Sequence, residues 1–307
     1  MEITMPKPLE ERMQKLLGEE FPQFIEAIKQ KPARAIRHNP LKCSKGEMLK
    51  QLSSEGIEAS RFLPINGAFL VKGGVRFSEL DSYKKGFYFV QDLASMLPPI
   101  FLESSPGERA LDLAAAPGAK ATQIAAMMGN KGVFFAVESN RNRMSSLKFN
   151  LKKYGATNAL AVPGTFLAQK FPEKFDKILA DVPCSGEGII AKDKAALKIW
   201  SEKRIRKNAK LQKKLLLKGF SLLKKGGMLV YSTCTYAPEE NEEVVQHLVD
   251  KNEGAVIENI SLKDLDFHKG ITKWGDKEFS QEMKNCARIY PMDFNSEGFF
   301  IAKISKK

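Results

Sequence analysis

Cysteine is scarce in this chain. Its 307 residues hold four, Cys43, Cys184, Cys234 and Cys286, widely spaced and with no CxxC pair. Histidine is scarcer, with only His38, His247 and His268. A zinc site needs clustered sulfur and imidazole ligands, so no metal is expected. No apolar run approaches the roughly 20 residues that span a bilayer. The opening MEITMPKPLEERM lacks the apolar stretch of a signal peptide. The chain therefore reads as a cytosolic protein, with reduced thiols and no membrane partner. Low-complexity tracts and internal repeats are missing as well. A composition of 43% hydrophobic and 28% charged residues fits an ordinary globular enzyme.

Acidic residues are outnumbered. Lys and Arg total 49 against 36 Asp and Glu, a net charge of +13. Such an excess suits a polyanionic partner such as nucleic acid, although a Lys-rich solubilising surface would give the same count.

From about Glu108 the sequence alternates strand and helix signals. ERALDLAAA, GVFFAVE, ALAVPG and FDKILADVP read as strands, with helices KATQIAAMM and RNRMSSLKFNLKKYG between them. A long basic helix, SEKRIRKNAKLQKKLLLKGFSLLKK, is expected to run to Gly226-Gly227, followed by the strand MLVYSTCT and a helix opening at Pro238. AVIENI and GFFIAKIS add two late strands. This alternation predicts a doubly wound, mainly parallel α/β sheet that binds ligands at the carboxyl ends of its strands. Residues 1–88 read as a small N-terminal α+β RNA-binding module and residues 89–307 as the catalytic domain, and a monomer is expected.

The first βα turn, running from Asp112 through Ala114-Ala115-Ala116-Pro117-Gly118-Ala119-Lys120, is tight and small-residued. Its backbone amides and helix start suit an anionic or polar ligand group. Glu138 closes the next strand, where an acid takes ribose hydroxyls. The GxGxxG fingerprint of dinucleotide sites is missing. A ligand carrying a carboxylate and a ribose but no pyrophosphate fits better, and S-adenosylmethionine is the expected cofactor.

Cys184 follows Asp181 and Pro183 at the exit of FDKILADVP. Cys234 ends MLVYSTCT. A lone strand-end cysteine is usually a small buried hydrophobe. Two on the ligand-binding edge of neighbouring strands point to chemistry.

DVPCSGEG followed by YSTCTYAPEENEEVV resembles the RNA 5-methylcytosine methyltransferases of the Nol1/Nop2/Sun (RsmB-like) family. VQDLASML, LDLAAAPGAKATQ, ARIYP…EGFFIAK and the basic RAIRHNPLK are similar to further family segments, in family order. The resemblance implies a Rossmann-like class I methyltransferase fold and methylation of cytosine C5 in tRNA or rRNA. It assigns Cys234 as the nucleophile, Cys184 as the release residue and Asp181 as the group that holds the ring. Lys120 is a candidate cation beside them. Cofactor contacts are carried over to Ala114–Lys120, Glu138, Arg143 and Asp181. The family's CAAPGGK-T loop reads AAAPGAK-A here, with Ala119 and Ala121 replacing a glycine and a threonine. Phosphate contacts are expected from Arg34, Arg37 and Lys42, and from Lys203, Arg204, Arg206, Lys207 and Lys210 on the long helix. A DNA cytosine-5 methyltransferase would use the Pro-Cys thiol as nucleophile, and a silent RNA-binding protein would need neither thiol.

Overall fold

The computed structural model describes residues 5–307. Residues 1–4, which the expected N-terminal module and the opening segment include, lie outside the described residues. Two helices come first, α1 (Lys7–Leu17) and α2 (Phe21–Lys29). Leu9, Met13 and Leu17 fall on one face of α1. With Phe24 and Ile28 they bury against Ile190, Ala196, Tyr236 and Tyr290, far along the chain. These helices therefore pack on the catalytic region and not on the small sheet that follows them.

That sheet consists of β1 (Ala35–His38), β2 (Ala59–Arg61), β3 (Ala68–Val71) and β4 (Tyr88–Val90), antiparallel in the order β2-β3-β1-β4. α3 (Lys45–Ser54) starts at a Ser44–Glu47 capping box, and α4 (Asp81–Lys84) is a single turn. Ile36, Met48, Leu52, Phe69 and Tyr88 form the core beneath them. The expected cut after residue 88 falls inside β4. α5 (Leu93–Leu102) then leaves this sheet, N-capped by Asp92, which accepts the Ala94 N–H at 2.9 Å.

β5 (Arg109–Asp112), β6 (Val133–Glu138), β7 (Ala159–Pro163), β8 (Phe175–Asp181) and β9 (Leu223–Thr233) are parallel, in the order β9-β8-β5-β6-β7. α6 (Ala119–Met127) and α7 (Arg141–Tyr154) join α5 on one face. After the short α8 (Ala195–Lys198), α9 (Glu202–Ser221) and α10 (Glu242–Lys251) cover the other. Strand alternation explains the two cores. Ala110, Leu179 and Val230 face the first layer, while Leu111, Ile178 and Leu229 face the second.

β10 (Ala255–Glu258), β11 (His268–Lys269), β14 (Ala287–Ile289) and β15 (Phe299–Lys306) extend the same sheet antiparallel. β15 lies directly against β9. Between them β12 (Lys273–Trp274) and β13 (Lys277–Glu278) make a separate hairpin, and α11 (Pro291–Phe294) is one turn.

Two expected boundaries move. The long helix stops at Ser221, and LKKGG already belongs to β9. Gly226, at φ +73°, absorbs a register shift against β8 that a run of lysines does not advertise. α10 begins at Glu242 and not at Pro238, because Glu240 and Asn241 turn inward to bond the neighbouring loops.

Candidate active site

The carboxyl ends of β5, β6, β8 and β9 meet at one edge, with Asp112 beside Leu179 and Asp181 beside Ser232. Cys184 and Cys234 lie just beyond β8 and β9, and their sulfurs are 3.2 Å apart. The loops that carry them are fastened together. The Ser185 and Thr235 hydroxyls are 2.6 Å apart, and buried Glu240 accepts the Ser185 N–H at 3.1 Å and the Gln212 amide at 2.7 Å. Buried Glu187 accepts from the Thr235 hydroxyl at 2.9 Å and the Tyr236 N–H at 3.0 Å. Behind them Arg288 is fully enclosed, pairs with Glu242 at 2.6 Å and donates to the Tyr236 carbonyl at 3.0 Å. Most of these buried polar groups are paired, the Gln212 Oε1 and the Tyr236 hydroxyl being exceptions, and such a network favours one arrangement. Gly188 fits this junction because a Cβ there would lie 2.1 Å from the Gly298 carbonyl oxygen.

Asp181 is held from two sides. Ser232 donates to one carboxylate oxygen at 2.8 Å, and Lys120 lies 2.9 Å from the other. Lys120 also donates to Ser95 at 3.0 Å and sits over the Phe299 ring at 5.1 Å. Burial pulls the lysine's pKa down. The charge and hydrogen bond of Asp181, with Cys234 and Asp112, outweigh that, so the net direction is up and the ammonium persists. Cys184 is displaced well above the ordinary thiol range, by its hydrogen bond to Cys234 and then by burial. Cys184 therefore keeps its proton.

The loop from Ala114 to Lys120 wraps the start of α6. Gly118 stands at φ +112°, and a Cβ there would press on Leu147 at 3.3 Å. Arg143 donates to the Ala116 carbonyl, and Asn150 to the Pro117 carbonyl at 2.8 Å. Glu138 is 3% exposed; one of its oxygens accepts the Asn140 N–H at 2.7 Å. Its other oxygen, Oε2, is buried with no hydrogen-bond partner, 3.8 Å from Arg143 Nε. A buried carboxylate oxygen left unbonded is costly unless a ligand completes it. Two ribose hydroxyls would do so, which fits S-adenosylmethionine. Buried Asp112 lies beneath and accepts the Ala114 N–H at 3.1 Å.

A cavity of about 310 Å³ joins the parts, lined by Ala114, Ala116, Arg143, Asp181, Cys184 and Cys234. Arg204 of α9 reaches its rim. Lys203, Lys207 and Lys210 stand exposed on that helix, Arg206 pairs with Glu202 at 3.3 Å, and Lys42 reaches to within 3.0 Å of the Cβ position of Gly155. Arg34 is exposed, and its guanidinium donates to the Gly73 and Val75 carbonyls with N–H groups to spare.

Arg37 requires a correction. It is buried and offers nothing to a phosphate. Its guanidinium donates to the Ala119 carbonyl at 2.7 Å, the Thr122 hydroxyl at 2.9 Å, and Gln91. The small sheet thus grips the first turn of α6, using a cation with no carboxylate beside it. Burial lowers its pKa to about 9.

Sequence reasoning also missed Ser95, Glu187, Ser232 and Glu240, and gave Asp112 no part beyond opening the turn. All lie within the quoted motifs; an acid followed by buried neighbours in GEG and PEEN was the available signal. Among the described residues no group of three His, Cys, Asp or Glu is arranged to hold a metal, and no helix is long and apolar enough to cross a membrane.

Residues 99–305 match the protein family described as 16S rRNA methyltransferase RsmB/F, and residues 5–93 the N-terminal domain of 16S rRNA methyltransferase RsmF. The chain is 38% identical over 306 residues to the tRNA (cytosine(49)-C(5))-methyltransferase of Pyrococcus abyssi, covering 98% of this chain and 96% of that protein. It is 34% identical to ribosomal RNA small subunit methyltransferase F of Vibrio campbellii, covering 99% of this chain but 64% of the relative. The crystal structure of a methyltransferase homolog protein from Pyrococcus horikoshii is similar at a TM-score of 0.86 and 33% identity, covering 99% of this chain and 96% of that one.

Proposed function

The chain belongs to the RsmB/F, or Nol1/Nop2/Sun, family of S-adenosylmethionine-dependent RNA cytosine-C5 methyltransferases, and on that premise we propose how its own residues divide the reaction. The carrying observation is the 3.2 Å approach of Cys184 to Cys234 beside the Lys120–Asp181 pair.

Cytosine C5 is a poor nucleophile. In this reading the Cys234 thiolate adds to C6, and the electrons of the C5–C6 double bond move to C5 and the ring. Asp181, fixed by Ser232 and Lys120, accepts from the cytosine amino group, while the ammonium of Lys120 offsets negative charge on the ring. S-adenosylmethionine, when bound, supplies an electrophilic methyl group. Ala114–Lys120, Glu138, Arg143 and Asp181 would hold it, with Glu138 on the ribose. Once Cys234 is bonded to the base, its hydrogen bond to Cys184 is gone, and with it the first cause of that thiol's raised pKa. Cys184 can then lose its own proton to solvent and, as thiolate, take the C5 proton, directly or through water. The C5–C6 double bond reforms and Cys234 departs as thiolate.

The substrate we propose is transfer RNA, supported by the end-to-end correspondence with the Pyrococcus abyssi tRNA enzyme. Small-subunit ribosomal RNA is the second reading, favoured by the descriptions of both matching families. The protein would act as a monomer in the cytoplasm, and its four cysteines are free thiols. Tritiated methyl transfer to unfractionated tRNA and to 16S rRNA from cells lacking the protein, followed by bisulfite mapping, tests the assignment. Label in neither RNA overturns it.

A further inference from the structure

A second cleft, of about 560 Å³, lies between the small sheet and the catalytic loops. Lys31, Arg34 and the Gly73-Gly74 turn form one wall, and Asp92, Lys192 and Glu297 the other. It is close to the nucleophile. Glu297 precedes Gly298, whose N–H donates to the Gly188 carbonyl at 2.8 Å. Gly188 N–H in turn donates to the Cys234 carbonyl at 2.9 Å.

The walls are chemically divided. Lys31, Arg34 and Lys192 are exposed cations. Arg34 is steadied by the Gly73 carbonyl at 2.9 Å and by stacking on Phe77 at 4.7 Å. Asp92 accepts the Ala94 and Glu297 N–H groups, at 2.9 and 3.0 Å, one on each oxygen. Glu297 accepts from Lys192 at 2.6 Å through Oε1. The methyl-transfer steps use none of these groups.

Two cations on one wall without a carboxylate partner among the described residues, and two carboxylates on the other, where Lys192 occupies one oxygen of Glu297, match a nucleotide. The cations suit its phosphate. Ionised carboxylates only accept, so above about pH 7, to which burial and the Glu297 charge push Asp92 up, the pair selects a base by its N–H donors. Guanine presents adjacent N1–H and N2–H donors, adenine and cytosine a single amino group, and uracil one ring N–H. RNA is read with bases splayed from the strand, and a flipped target leaves its neighbours unstacked. We propose that this cleft is a subsite for a nucleotide neighbouring the target cytosine, with Lys31 and Arg34 on its phosphate and Asp92 and Glu297 on a donor-bearing base, guanine fitting best. The identity of the strand rests on the RNA-methyltransferase reading; the chemistry of the cleft does not.

Calorimetric titration of the full chain with guanosine, inosine and uridine 5′-monophosphates tests it. Guanosine monophosphate is expected to bind. Inosine monophosphate, lacking the amino group at carbon 2, should bind about tenfold more weakly, and uridine monophosphate more weakly still. Arg34→Ala and Glu297→Gln should each weaken guanosine monophosphate about tenfold while leaving S-adenosylmethionine affinity unchanged. Arg34 is a surface group, so its variant remains informative if Glu297→Gln fails to fold. No guanosine monophosphate binding, equal binding of all three, or binding indifferent to Arg34→Ala overturns the subsite. Nucleotide binding without methyl transfer to any RNA would keep the subsite and sink the catalytic reading, so the two failures are distinct.

Discussion

Lys120, in the first turn of α6, lies 2.9 Å from Asp181 at the end of β8. One ion pair thus ties the cofactor loop to the strand that leads to Cys184. Lys120→Met should lower single-turnover methyl transfer by roughly 10²–10³-fold, because a preorganised charge at the ring is lost. RNA affinity measured by filter binding should stay within about threefold. An unchanged transfer rate would remove Lys120 from the chemistry.

The two sulfurs should separate cleanly by substitution. Cys234→Ala is expected to abolish both methylation and the covalent RNA adduct, a loss of roughly 10³-fold or more. Cys184→Ala should instead accumulate the adduct, seen as a slow band on a denaturing gel with labelled RNA. An adduct formed through Cys184 would reverse the assignment.

Glu138 is set for a ligand by its unbonded buried oxygen. Glu138→Gln should weaken S-adenosylmethionine about tenfold in calorimetry, since a charged acceptor becomes a neutral one. S-adenosylhomocysteine has the same ribose and should weaken in parallel. An unaltered affinity would mean that the orphan oxygen faces no ribose.

Asp112 gives a pH dependence. Burial pushes it up to about 7, against the Ala114 hydrogen bond and with the Asp181 and Glu138 charges adding to the rise. The folded state therefore holds this proton more tightly than the unfolded chain, whose aspartates titrate near ~4. The associated stability is complete below that value and is lost as pH rises towards 7. In melts from about pH 5 to about pH 8, wild type should lose stability relative to Asp112→Asn, which keeps the Ala114 bond. A constant difference across the range would refute this.

Arg37→Met should cost about 2–4 kcal/mol, because the Ala119 carbonyl and the Thr122 hydroxyl lose a buried charged donor. S-adenosylmethionine affinity should fall with it, and Arg37→Lys should restore only part of both. Chemical denaturation and calorimetry on the same samples check the pairing. Weakened cofactor binding in Arg37→Met at temperatures where the protein is fully folded would separate positioning from mere stability.

Much of this site was readable from the chain alone. β5, β6, β8 and β9 are apolar on both faces, which marks them as central strands, and two cysteines at strand exits stand out where cysteine is rare. Glu138 was legible because it closes a strand after a tight turn. Arg37 was not, since RAIRHNP looks like a basic surface strand until Gln91 and Thr122 fold over it. The packing of α1 and α2 was hidden for the same reason. Amphipathic faces show that a helix is covered, not which distant residues cover it. Nor does an alternation of strands and helices reveal that β15 inserts antiparallel beside β9.

That insertion sets a schedule. β9 leads into Cys234, yet its outer edge pairs only with β15, whose Phe299 also lies under Lys120. Translation at ~5–20 residues per second places ~3–13 s between the synthesis of Cys234 and that of Phe299. For that interval the thiol strand is an unpaired edge, open to wrong partners, and the site lacks a wall. The enzyme is assembled last where it reacts first.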